Sequence, residues 1–319
     1  MLDALRFVQG SVDKKGIVEE LLHYRIEGGF VRGYNGRISL RSPIDTDLVI
    51  TPKGVPFMKA IAGSTETIAL SVTNGGKVSV RSGKFRALVQ QTTNPFPDLP
   101  PEGEYTSLAG AEFMQTLSTL LPYTAEDASR PWSNGVLFVG DKAYATNNVV
   151  LVQAATGVVF PNVVNIPKQT LREMLRLRVV PVGVQVADRT ITFHYEGDRW
   201  LRSNLLECSA WPDAASLLAA QDWGALEPVP ADLYTTLETL LPFVNDLGQV
   251  HFANGVASTE SGPDTGAIVE CGYDFDGVYN LPQLLGLQGV AETADFSQYP
   301  KPCPFECSDA RGVIIGMRV

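Results

Sequence analysis

The chain is poor in the residues that most catalytic and metal sites are built from, with 3 histidines and 4 cysteines in 319 residues. So few thiols exclude a disulfide scaffold and suit reduced cysteines in a cytoplasm. Cys303 and Cys307 flank Pro304-Phe305-Glu306 without a second cysteine pair or a histidine run, so a zinc site lacks its ligands. Long apolar runs are missing too. Stretches such as Val158-Val159-Phe160 are too short to cross a bilayer as a helix. Met1-Leu2-Asp3-Ala4-Leu5 lacks a basic start before an apolar stretch, which predicts no secretory leader. Positive charge is scarce, with 25 Lys+Arg against 35 Asp+Glu and a net charge of −10. That excludes a uniformly basic nucleic-acid coat but leaves room for a local basic face, because binding follows the field at the contact surface.

The motifs of covalent and metal catalysis are absent as well: no Gly-x-Ser-x-Gly elbow, no His-Glu-x-x-His helix, no Gly-x-x-x-x-Gly-Lys-Ser/Thr loop. His194 lies in the strand pattern Ile191–Tyr195 and reads as structural. Asp274, Asp276 and Gly277 match the start of a calcium loop but lack its later ligands. Gly28-Gly29 and Gly75-Gly76 sit between strand-like runs and read as hairpin turns. No catalytic residue, metal or cofactor is expected.

What is present is a core-forming composition, 45% hydrophobic and 19% charged, with length for two or three domains. It also carries a long repeat. Pro52-Lys53, Pro167-Lys168 and Pro282-Gln283 stand 115 residues apart, as do Phe96-Pro97-Asp98 and Trp211-Pro212-Asp213. Thr116–Tyr123 recurs as Thr236–Phe243, 120 residues on. Such a period is too long for a solenoid unit and fits a small domain. The Pro-rich stretch 94–101 and the Asp222-Trp223-Gly224 turn divide the chain into 1–105, 106–222 and 223–319. In the middle segment, 109–121 has helical spacing and 136–139 with 143–145 reads as a hairpin. Val149–Gln153 follows as a strand, a second helix starts at Pro167, and strands follow at 182–186, 190–194 and 200–206. Each segment is thus two helix-plus-strand half-units, an α+β class with mainly antiparallel strands. In the first segment Leu5–Val12 reads as a strand, leaving 16–22 as the only place for a short helix and a reduced first half-unit.

Local motifs then point to a family. Ser129-Arg130-Pro131-Trp132-Ser133-Asn134-Gly135-Val136-Leu137-Phe138 resembles the Arg-x-x-Leu-Asn-Gly-x-Leu-Phe stretch of the bacterial DNA polymerase sliding clamp. Tyr144–Leu151 resembles its Ala-Thr-Asp-Gly-His-Arg-Leu strand, with Val149 and Val150 in place of His and Arg. Leu206–Asp213 resembles its Gly-x-Phe-Pro-Asp segment. Val313–Val319 resembles its Met-Pro-Met-Arg-Leu ending, with Gly316 in place of Pro. The short, divergent form is similar to clamp-like proteins of bacteriophages.

The resemblance implies three tandem clamp domains closing into a ring, most simply a homodimer, around double-stranded DNA in a bacterial or phage-host cytoplasm. It implies a non-enzymatic processivity factor that tethers a DNA polymerase, and a clamp loader, through short peptide motifs. The DNA-facing candidates are Lys168, Arg172 and Arg176, spaced four residues apart along one helix face, with Lys53, Lys59 and Arg130. On its own that cationic face also fits a solvated surface. The implied peptide pocket is Thr146, Asn148, Leu151, Pro212, Leu217, Val313, Ile315 and Met317. Two other classes stay open: a β-rich phage virion or assembly protein without DNA tethering, and a hydrolase whose carboxylates pair only in space.

Overall fold

A computed structural model describes residues 1–94, 97–108, 112–261 and 266–318. Its helices are α1 (Leu2–Val8), α2 (Gly54–Ala62), α3 (Glu112–Leu120), α4 (Lys168–Leu177), α5 (Ala214–Ala219), α6 (Leu233–Leu240) and α7 (Leu281–Leu285). With α5 set aside, three or four strands follow each helix, so the helix-plus-strand half-unit occurs six times among the described residues. Every pairing between strands is antiparallel.

The chain forms two compact units that do not follow its linear order. The first holds residues 1–110 and 169–205, the second 111–168 and 206–319. In the first, a seven-stranded sheet runs Arg25–Glu27, Phe30–Tyr34, Ile38–Pro43, Arg199–Asn204, Thr190–Tyr195, Gly183–Val186, Glu104–Ser107. The first and fourth half-units join where Leu40 stands opposite Leu201. Gly28 and Gly29, at φ 59° and 75°, make the two-residue turn between the first two strands, a conformation that favours glycine. α1 and α4 cover one face. Phe7 packs edge-on against Tyr195, with ring centroids 5.5 Å apart, and Thr170 shares a 2.6 Å hydrogen bond with Ser203. α2 packs with the sheet Ile68–Val72, Val78–Ser82, Phe85–Val89, where Phe57, Ile61, Val78 and Val80 are buried.

In the second unit an eight-stranded sheet holds Val164–Pro167, Gly135–Val139, Lys142–Thr146, Val150–Ala155, Ala310–Ile314, Cys303–Glu306, Thr293–Ala294 and Glu227–Pro228. Here the third and sixth half-units join, with Leu151 opposite Val313. α3 packs on Val150–Ala155, and α6 and α7 pack on each other.

Three expectations change. The N-terminal segment is helical over Leu2–Val8 and continues as a 3-10 turn over Gln9–Ser11, so Leu5–Val12 is not a strand and the first half-unit keeps its helix. Ala4, Leu5, Phe7 and Val8 are the buried residues, and that 4, 5, 7, 8 spacing is helical. Residues 19–22 form only a 3-10 turn. Pro167 closes a strand, and α4 begins one residue later. α3 is described from Glu112, so the expected helix start at 109–111 lies outside the described residues, as does Phe96 of the repeat.

Candidate functional site

The second unit carries a cavity of about 390 Å³ above the join of the third and sixth half-units. Its floor follows from the sheet register, since Leu151 and Val313 face each other and project from the same side. Beneath lies a packed cluster of Leu137, Tyr144, Leu151, Ala214, Leu218 and Val313, with Cys208, Trp211 and Trp223 against it. α5 forms a wall. The Asp213 carboxylate caps it, accepting from the Ser216 N–H at 3.0 Å and the Ser216 hydroxyl at 2.6 Å, a standard way to start a short helix. These bonds hold the Asp213 carboxyl below its usual range. α5 buries Leu218 completely and leaves Leu217 49% exposed at the cavity.

The opposite rim is the turn before Val150–Ala155. Asn148 adopts φ 72°, left-handed for a residue with a side chain. Its N–H donates to the Thr146 hydroxyl at 3.1 Å, and that hydroxyl donates to Val150 O at 2.8 Å. Asn147 Oδ1 accepts from the N–H groups of Val149 and Val150. Arg130 Nη1 donates to Asn148 Oδ1 at 3.0 Å, which sets the one cation among the lining residues at the mouth. Trp132 stands beside it, edge-on to Trp211 at 5.1 Å.

Of the eight expected pocket residues the structure brings seven together: Thr146, Asn148, Leu151, Pro212, Leu217, Val313 and Ile315. Met317 is not among the lining residues. Its N–H donates to Val278 O and its carbonyl accepts from the Tyr299 hydroxyl, each at 2.7 Å. Sequence reasoning missed Trp132, Val149, Val150, Ala210, Gln221 and Pro302 in the lining. Trp132 was within reach, because it lies inside the motif that supplied Arg130.

The cationic candidates separate by what holds them. Lys168 Nζ is 3.1 Å from Glu126 and donates to Thr124 O, with its side chain 16% exposed. Arg176 chelates the buried Glu173 carboxylate and donates to the Arg6 and Phe7 carbonyls. Both are tied into the fold. Arg172 and Lys59 stand at exposed helix positions, and Lys53 is half-buried at the N-cap of α2. Arg130 lies at the cavity mouth instead of on a helix. Arg6 and Arg199 join Arg176 around a second recess of about 360 Å³; Arg6 escaped notice because its segment was read as a strand.

Two of the three histidines are occupied structurally. His194 Nε2 is 2.6 Å from Gln185 Oε1, and burial lowers its pKa; His23 Nδ1 is 2.7 Å from Glu19 O. Among the described residues no group of three or more His, Cys, Asp or Glu is placed to hold a metal ion.

Solved structures of the same architecture exist. The chain superposes on Caulobacter crescentus pol III beta with a TM-score of 0.83 at 18% identity, covering 100% of this chain and 97% of that one. The Bacillus subtilis DNA polymerase sliding clamp gives a TM-score of 0.82 at 16% identity, with the same coverage. The beta subunit from the DNA polymerase of Streptococcus pyogenes gives 0.78 at 20%, again with that coverage. The chain has the bacterial sliding-clamp fold. No protein-family model and no curated protein matches it by sequence. The six half-units are those of the clamp fold over its full length, and the cavity lies where two of them share a sheet.

Proposed function

We propose that this protein is a DNA polymerase processivity factor, a non-enzymatic sliding clamp that tethers a polymerase to double-stranded DNA. The observation that carries the reading is the cavity, a largely apolar recess whose lining includes seven residues named from sequence, on a fold shared end to end with polymerase clamps. A partly exposed leucine, a partly exposed isoleucine and a tryptophan around a concave floor suit the apolar anchors of a short peptide. Arg130 at its mouth favours a peptide with an acidic residue beside those anchors. The division into domains at 1–105, 106–222 and 223–319 gives three clamp domains per chain, and two chains give six. A head-to-tail homodimer would close the ring and pair otherwise open strand edges. Lys53, Lys59, Lys168, Arg172 and Arg176 would supply a sparse cationic lining, so contact with the duplex is weak and salt-sensitive. A loader would use the same pocket, in the cytoplasm of a bacterium or phage host. Light scattering with negative-stain imaging tests the assembly: the reading expects twice 34.5 kDa and a central hole, and a compact monomer contradicts it.

A further inference from the structure

The seven-stranded sheet carries an unusual row of side chains on the face away from α1 and α4. Arg25 stands directly opposite Arg32, Arg32 opposite Arg41, and Arg41 opposite Trp200. Residues directly opposite project from the same side of a sheet, and like charges so placed repel. Three adjacent arginines therefore work against folding unless something else uses them.

They surround a cavity of about 270 Å³ lined by Arg25, Glu27, Gly28, Phe30, Arg32 and Arg41. Glu27 pairs with Arg25 at 2.5 Å, and Asp98 pairs with Arg32 at 2.7 Å. Arg41 makes no ion pair among the described residues; its guanidinium lies 3.4 Å over the Phe30 ring. Among the described residues its Nε is buried without a hydrogen-bond partner, as is Nε1 of the adjacent Trp200. Burial and the Arg32 charge hold the Arg41 pKa below its usual value, with Asp198 opposing them. The cavity thus presents a cation with no counter-ion in contact among the described residues, and converging donors from three strands.

We propose that this cavity binds a phosphoryl oxyanion, gripped by Arg41 with Arg32 and Arg25 beside it. Guanidinium forks match phosphoryl oxygens in pairs, and three such oxygens serve donors from three strands better than the two of a carboxylate. Phe30 is covered by Arg41 and Trp200 is buried, so no ring face is offered to a nucleobase. The phosphoryl group could be free phosphate or a phosphorylated side chain of a partner. The proposal does not rest on DNA tethering.

The full-length chain is titrated at constant ionic strength with inorganic phosphate, with a short phosphoserine peptide and with its unphosphorylated twin. The readouts are Tm and the arginine Nε–H resonances. Phosphate is expected to raise Tm saturably and to move the Arg41 resonance, with Arg41→Gln and Arg32→Gln each weakening binding at least tenfold. A phosphopeptide that binds at least tenfold tighter than inorganic phosphate assigns the source to a partner; comparable binding assigns it to free phosphate. Should Arg41→Gln fail to fold, Arg32→Gln decides, its wild-type side chain being 31% exposed. Absence of saturable binding to the wild type overturns the proposal, and so does a folded variant that titrates like it.

Discussion

Replacing Leu217 by alanine separates a binding wall from a structural one. Leu217 is 49% exposed at the cavity, while its neighbour Leu218 is fully buried beneath it. Burying a whole leucine is worth about 1.5–3 kcal/mol, so covering the open half of Leu217 with a peptide is worth about 1 kcal/mol. Leu217→Ala should then weaken peptide binding about fivefold. Folding should change by less than about 0.5 kcal/mol, since the site is a half-open helix position and alanine is a good helix former. Leu218→Ala should instead cost about 2–5 kcal/mol of stability. The assay is fluorescence anisotropy with a short labelled peptide carrying adjacent leucine and phenylalanine, alongside urea unfolding of each variant. Unchanged affinity in Leu217→Ala would refute the assignment of this recess as the docking surface. A loss of affinity matched by an equal loss of stability would do the same.

Phe7→Ala should cost about 3–5 kcal/mol of stability, because a buried ring on α1 leaves a cavity against Tyr195; a loss below about 1 kcal/mol in urea unfolding would speak against the helical N-terminus as a core element. Burial holds the His194 pKa below the ordinary 6.5, so the unfolded chain binds the proton more readily. Its contribution is complete above about pH 6.5 and is lost as pH falls below it, so the fall in Tm between pH 7.5 and 5.5 should shrink in His194→Gln. Lys59→Glu should lower the slope of log affinity for duplex DNA against log salt by about one; an unchanged slope removes Lys59 from the contact.

The repeat was legible because prolines at or just before helix starts recur at 115-residue intervals, and the half-units around them appear in the structure. The cavity was legible through motif order, which groups residues 66 to 162 positions apart, such as Leu151, Leu217 and Val313, without any strand register. What escaped had physical causes. α1 was missed because its apolar residues begin at the chain start, where a short run read from Leu5 onward also suits a strand. Met317 does not line the cavity, and its hydrogen bond to Val278, distant in sequence, is not visible in motif order. The arginine row was invisible, since Arg25, Arg32 and Arg41 are irregularly spaced and only strand register aligns them. The cationic helix was legible as a pattern, but spacing did not reveal that Lys168 and Arg176 hold Glu126 and Glu173.

The central claim is topological tethering, and retention on DNA tests it most directly. The protein is loaded on nicked circular duplex at moderate salt, loading is verified, and the circle is then cut once. The account predicts that protein stays on intact circles and leaves when an end is opened. Equal loss from circular and cut DNA would contradict it.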